Sequence, residues 1–393
     1  MRIALFVETY VPYINGVVTH VKILKEGLEQ QGHQVLVVCS DGQAKEHYIK
    51  DGILHCPGHI SKKFYGYSLS LPFSSRRMEL LREFDPDVCH IHTEFGIGLF
   101  GAHAAKKLGK PLVYTLHTMY DDYLYYVSPK AFLGLTKKFS RWYVRRLAER
   151  SSAVLGPSKK CVEYFRSCGL QKEVHVIPNS VELDLFHPSA TSEEQRNAVR
   201  EQYHIPAGDM VACFVGRMGR EKSVDVLLDY WKETITPEDH IHLLLIGDGP
   251  QLPEWRVRAQ EEGLEDRVTF CGKVMHKDIP PYFAICDAYV TASLSEAHSI
   301  SMLEGMASGL PVLQRLDPLN AYQVQQGGNG YLFETAQEMA AHLREIRDLS
   351  PQEKQALKER VIDSVKESGA KQIANCLLKV YQEVVNSRPT EEM

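Results

Sequence analysis

Short apolar runs alternate with amphipathic stretches along most of the chain. RIALFVE reads as a buried strand, and after YVPYING a helix is expected from about Val17 to Gln31, closed by Gly32. HQVLVVCSD is a second strand, so a β-turn-α-β unit with a parallel, right-handed crossover is expected. The same alternation continues through VCHIHTEF, the helix GIGLFGAHAAKKLG, the strand Leu112 to Leu116, and SSAVLGPS with a helix from Lys159. Residues 189–206 are polar and charged and fit a boundary. A second series comes after it: MVACFVG, HIHLLLIG, RVTFCGKV, AICDAYVTASLSE, and a short GNGYLFE that closes the sheet. Residues 336–385 carry helical pattern and no strand signal. The pattern predicts an α/β, doubly wound architecture. Its expected domains are 1–188 and 189–370, with a C-terminal helix at about 371–390 as a candidate to pack back on the first.

Composition changes this picture little. With 393 residues, two domains are expected on a prior of roughly 100–200 residues each. Nine cysteines occur without a CxxC pair, and Cys39, Cys89, Cys213, Cys271 and Cys286 lie in apolar runs. They read as reduced core residues of a cytosolic protein. No Cys/His cluster has the spacing of metal ligands, so no zinc or other metal site is expected. No signal peptide is read at MRIALFVETY, and no apolar run is long enough to span a bilayer.

Charge distribution says more than the net charge of -5. Residues 1–187 hold 24 Lys+Arg against 18 Asp+Glu, and the remainder 21 against 32. A basic first half suggests an anionic partner. Residues 130–172 concentrate it, with eleven Lys/Arg and two Asp/Glu. Phe132, Leu135, Phe139, Trp142, Tyr143 and Leu147 fall on one helical face, with Lys137, Lys138, Arg141 and Arg145 opposite. Such a helix suits an anionic membrane surface; the alternative is an apolar face packed on its own domain. Lys62-Lys63-Phe64-Tyr65-Gly66-Tyr67 and Arg76-Arg77 add basic and aromatic loop material. Nucleic acid is not expected, because no binding module accompanies the charge.

The candidate chemistry gathers around SEAHSISMLEGMASGLPVL, residues 295–313. Glu296 is expected at a strand's carboxyl end and Glu304 on the following helix, which Gly309 and Pro311 end. Ser299 and Ile300 open that helix, where free N–H groups and the positive dipole end suit phosphate. Arg217 and Lys222, on a loop with Gly216 and Gly219, form a candidate diphosphate clamp. Val274 sits where a base could bond to backbone. In the first half, Gly16 opens a helix and lets backbone approach a phosphate. The loop before it is not GxGxxG, which argues against a dinucleotide-binding dehydrogenase. His117 stands just past a strand's carboxyl end, before the run Tyr120, Asp121, Asp122, Tyr123. A sugar nucleotide is the working ligand.

These residues resemble a known family, the retaining glycosyltransferases of the GT-B fold, family 4. YVPYINGV, VIPNSVELDLF, VGRMGREKSVDVLL, LLIGDGP and SEAHSISMLEGMASGLPVL occur in the family's order across nearly the whole chain. The resemblance implies two Rossmann-like domains facing a cleft. It implies that Arg217 and Lys222 hold the donor diphosphate, Glu304 the ribose, and Glu296 the donor sugar. Gly16 would approach the phosphate, and His117 would stand beside the anomeric region. HIHTEFGIGLFG followed by YTLHTMYDDYLYYV looks like the bacterial diacylglycerol glucosyltransferases. That branch uses UDP-glucose and a lipid acceptor. Ser299 and Ser180 stand where the family commonly has Gly.

The expected reaction is retaining α-glucosyl transfer to the 3-hydroxyl of 1,2-diacylglycerol, on the inner face of the cell membrane. Neither cofactor nor metal is expected, since cationic side chains and dipoles can stabilise the leaving diphosphate. Tyr120, Asp121, Lys137, Lys138, Arg141, Trp142 and Arg145 are the acceptor or membrane candidates. Three other readings stay open: a different acceptor, a different nucleotide sugar, and a non-catalytic sugar-nucleotide-binding regulator. Oligomeric state is left open.

Overall fold

The structure, a computed structural model, describes residues 1–13, 15–61, 66–122 and 132–387. The chain divides into two units, Met1–Ser180 with Ala370–Met393, and Val181–Gly369.

In the first unit the strands are β1 (Arg2–Val7), β2 (Gln34–Asp41), β3 (Tyr48–Lys50), β4 (Ile53–Pro57), β5 (His59–Ser61), β6 (Tyr67–Leu69), β7 (Val88–Ile91), β8 (Leu112–Thr115), β9 (Ala153–Gly156) and β10 (His175–Val176). Eight of them form one sheet in the order β10-β9-β8-β7-β1-β2-β4-β3. Every pairing is parallel except β3 with β4. Ile3 to Val7 have no exposed surface, as expected of a strand covered on both faces. Sequence order reverses at β1, which lies between β2 and β7. That arrangement opens a crevice at the carboxyl ends of β1 and β7.

The C-terminal helix Ala370–Asn386 belongs to this unit. Ile373, Ala374, Leu377, Leu378, Val380 and Tyr381 join the core formed with β1, β2 and the Gly16–Glu29 helix. Gly27 makes this approach possible, because a Cβ there would lie 2.5 Å from the Ala370 carbonyl oxygen. Tyr381 also reaches β7, where its hydroxyl lies 2.6 Å from His90 Nδ1. Tyr381→Phe leaves that buried nitrogen unpaired. The urea midpoint of the first unit is expected to fall by the equivalent of about 1–3 kcal/mol.

The second unit contains β11 (Met210–Val215), β12 (Ile241–Ile246), β13 (Val268–Gly272), β14 (Ala288–Thr291), β15 (Val312–Arg315) and β16 (Gly330–Phe333). They form a parallel sheet in the order β13-β12-β11-β14-β15-β16. The order reverses at β11. One core, with Trp231, Phe214 and Leu343, and another, with Phe283, Tyr289 and Met306, include side chains from the sheet. β15 escapes the sequence pattern, because VLQR is short and comes directly after the helix-ending Gly309 and Pro311.

The chain enters the second unit at Val181, earlier than the expected boundary at 188/189. Val181 and Phe186, each 1% exposed, are buried in the core that holds Phe283 and Tyr289. Residues 181–188 therefore pack with the second unit. The polar 189–206 stretch contains the helix Glu193–Gln202, opened by a capping box at Ser192. Among the described residues no cysteine is bonded to another, and no helix is long and apolar enough to cross a membrane.

Candidate active site

In the second unit the loops leaving β11 and β14 lie at the point where strand order reverses, and they carry most of the expected donor-binding residues. Arg217 follows β11, and Lys222 ends the single turn Arg220–Lys222. The glycine-rich end of β12 supports this loop. Gly247 has φ +145°, and a Cβ there would lie 1.8 Å from the Gly216 carbonyl oxygen. The loop after β14 is tied to it, since the Ser293 and Ser295 hydroxyls donate to the Glu221 carbonyl at 3.2 and 2.7 Å.

Arg217 and Lys222 each meet a carboxylate. Lys222 Nζ lies 2.6 Å from Glu296 Oε1. Arg217 donates from Nε to Glu221 Oε1 at 2.9 Å, and a second guanidinium nitrogen reaches the same oxygen. Asn320, 1% exposed, donates to the Glu296 carbonyl at 2.6 Å and fixes that loop. Sequence reasoning missed Glu221 and Asn320. Glu221 lies inside the REKS run, where it reads as a solvated charge.

Ser299 caps the Ile300–Ala307 helix, accepting from the Met302 N–H. Its hydroxyl lies 3.2 Å from that of Ser301, which is 2.9 Å from the Tyr289 hydroxyl. Glu304 projects from this helix and is 4% exposed. Burial raises its pKa. His276 Nε2 lies 2.7 Å from its Oε1, and His276 Nδ1 is 3.4 Å from Glu182. His276 gave no sequence signal, because one histidine in the loop after β13 makes no pattern. Val274, in the same loop, is half-buried against the second unit's core.

In the first unit the carboxyl ends of β7 and β8 bring His92 and His117 together, with His92 Nδ1 3.0 Å from His117 Nε2. The helix that Gly16 opens adds His20, whose ring centroid is 4.8 Å from that of His117. Asn15 caps this helix, accepting from the Val18 N–H at 3.0 Å. Burial pulls the pKa values of His90, His92 and His117 well below the usual range, so these rings are neutral near pH 7. Two residues beyond His92, Glu94 is 3% exposed. Tyr114 donates to its carboxylate at 2.7 Å, and Tyr120 donates to the other oxygen. Burial pushes the Glu94 pKa up to about 7.

The membrane candidates separate. Phe132, Leu135, Phe139 and Trp142 are 57–69% exposed. Leu147 instead is buried in the Leu133–Arg150 helix, beside Val144 and Ala148, and Tyr143 is half-buried with its hydroxyl donating to the Glu94 carbonyl. The expected single apolar face is therefore two faces, because its C-terminal half docks on the domain. Asp121 is clamped by Arg141 at 2.6 Å and Lys137 at 3.1 Å, and Arg145 pairs with Glu149 at 2.7 Å. Lys138 is exposed. Arg77 is not loop material: it is 2% exposed, with its guanidinium 4.7 Å from the Phe100 ring centroid. Lys62, Lys63, Phe64, Tyr65 and Tyr123 lie outside the described residues, as does the side chain of Asp122.

Two family models match the chain: Glycosyltransferase Family 4 over residues 14–185 and Glycosyl transferases group 1 over residues 195–364. The alpha-monoglucosyldiacylglycerol synthase of Acholeplasma laidlawii is 33% identical over 357 residues, 88% of each chain. The Streptococcus pneumoniae protein of the same name is 28% identical, over 89% of this chain and 79% of its own. Among solved structures, Anabaena HepE in complex with UDP-glucose superposes with a TM-score of 0.74. It is 21% identical and the match covers 98% of this chain and 100% of HepE. Sequence order, two doubly wound units and a relative matched along nearly nine-tenths of both chains lead to one assignment: the chain belongs to glycosyltransferase family 4 and is a GT-B glycosyltransferase.

Proposed function

We propose that the protein transfers glucose from UDP-glucose to the 3-hydroxyl of 1,2-diacylglycerol, with retention, giving α-monoglucosyldiacylglycerol. The observation that carries this reading is the solvent-facing row Phe132, Leu135, Phe139 and Trp142 on a basic helix. It belongs to a chain whose two relatives named above are both alpha-monoglucosyldiacylglycerol synthases. A soluble acceptor gives no reason to hold four large apolar side chains in water. The row lets the enzyme work as a peripheral protein on an anionic membrane, in this reading at its inner face.

In this reading Arg217 and Lys222 exchange their carboxylate partners for the donor diphosphate. The Ser299 and Ile300 N–H groups and Gly16 serve the phosphates, Glu304 the ribose, and the Val274 backbone the base. Glu296 and His117 act on the transferred sugar. As the bond between the anomeric carbon and the diphosphate oxygen breaks, the cations and amide dipoles stabilise the charge on the leaving UDP. The acceptor hydroxyl attacks from the face that UDP vacates, and a phosphate oxygen takes its proton.

The test supplies the purified protein with UDP-glucose, UDP-galactose or GDP-mannose, each with diacylglycerol in anionic micelles. An α-linked glucosyl product from UDP-glucose alone is expected, with linkage read by NMR. Faster transfer from GDP-mannose would replace the donor, and transfer to a soluble sugar at an equal rate without lipid would replace the acceptor.

A further inference from the structure

We propose that His20, His92 and His117 form a binding site for a zinc-class divalent cation, and that filling it withdraws His117 from sugar transfer. The second half rests on the role proposed for His117; the first rests on geometry alone. One ligand atom from each ring lies within 4.8 Å of the others. The rings come from three different places, the Gly16–Glu29 helix and the loops after β7 and β8, so no local spacing announces the cluster. Four-coordinate zinc with nitrogens at about 2.0–2.1 Å places those nitrogens roughly 3.3–3.4 Å apart. The His92–His117 pair is already at 3.0 Å, and the third nitrogen, within 4.8 Å, has to close in by at most roughly 1.5 Å.

The surroundings favour this chemistry. His20 and His92 are 3% and 1% exposed. Binding needs both facing nitrogens bare, so the proton shared between them moves to the far nitrogen of whichever ring carries it. For His92 that atom is Nε2, buried and without a hydrogen-bond partner among the described residues. No net proton release results from that exchange. His90 braces the group without joining it: its nitrogens face Tyr381 and Thr115 at 2.6 and 2.7 Å, and its ring lies 4.0 Å from that of His92. Three imidazoles leave one coordination position for water or a substrate oxygen. They select zinc, copper or nickel over magnesium, which demands oxygen ligands.

The test titrates the full-length protein with Zn²⁺ and, separately, Mg²⁺ by calorimetry, and with Co²⁺ by visible absorption. One Zn²⁺ per chain, no response to Mg²⁺ and a tetrahedral Co²⁺ spectrum are expected. His20→Gln should weaken Zn²⁺ by more than the roughly 10–100-fold typical of losing an outer-shell partner. It should also retain transfer activity in chelator and resist zinc inhibition. Circular dichroism checks its fold, and the wild-type Co²⁺ spectrum does not depend on that variant. Absence of a tetrahedral Co²⁺ spectrum, or equal Zn²⁺ affinity in His20→Gln, overturns the site. Zinc binding that leaves transfer unchanged overturns the inhibition, and with it the role given to His117, while the site stands.

Discussion

Lys222→Ala lowers the rate of sugar transfer by roughly 100- to 1,000-fold, the usual cost of removing one donor to a developing anion, and leaves the fold in place. Lys222 ends a single turn whose backbone bond, Lys222 N–H to the Gly219 carbonyl at 3.0 Å, survives the substitution. Its side chain is 17% exposed and pairs with Glu296, 22% exposed. Losing a half-buried pair of this kind costs about 1–2 kcal/mol of stability. The catalytic cost is larger because two changes act together. The diphosphate loses a cation, and Glu296 becomes an uncompensated negative charge beside it. A double-mutant cycle separates them. If Glu296 also holds the sugar, Lys222→Ala with Glu296→Gln is no faster than Lys222→Ala alone. Recovery in the double variant would reduce Glu296 to a counter-ion. Steady-state kcat and KM with UDP-glucose decide the matter, and a wild-type rate in Lys222→Ala would reject the clamp.

Replacing Phe132, Leu135, Phe139 and Trp142 together by Ser is expected to weaken binding to anionic vesicles by roughly 30- to 1,000-fold. Partial insertion of each large apolar side chain contributes about 0.5–1 kcal/mol, roughly 2–4 kcal/mol for the four. All four are more than half exposed, so the folded protein loses little packing. Electrostatics has a smaller share than the sequence suggested. Asp121 is shared by Lys137 and Arg141, and Glu149 faces Arg145, so the four expected cations keep a net charge of about +2, worth about 2 kcal/mol. Vesicle co-sedimentation at low and high salt distinguishes the two contributions. Slow hydrolysis of UDP-glucose without lipid should be unaffected. A variant that sediments like the wild type would remove the helix from membrane contact.

The alternation of apolar runs carried both sheets, since parallel strands covered on each face have little else in them. Short edge elements were harder. β3, β5 and β6 have three residues each, too few for a period to register. The residues proposed for the donor could be grouped in the sequence because their spacing is local: Arg217 and Lys222 share one loop, and Glu296 and Glu304 share one strand-helix connection. The histidine cluster and the Glu94–Tyr114–Tyr120 group were not, since each is assembled from elements far apart in the chain. The Leu133–Arg150 helix shows a third limit. Its 3.6-residue period marks which positions are apolar, but not which half of that stripe the domain covers.

The return of the last helix to the first unit has a consequence for biogenesis. Ile373, Leu377 and Tyr381, with Ala374, Leu378 and Val380, complete a core whose other buried members lie between Ile3 and Ile177. While the polypeptide emerges from the ribosome, the Gly16–Glu29 helix therefore keeps an uncovered apolar side until residues 370–386 have been made. Residues 181–369 form a self-contained unit and can finish first. The usual order, with the leading domain folding ahead of the trailing one, is thus expected to be inverted.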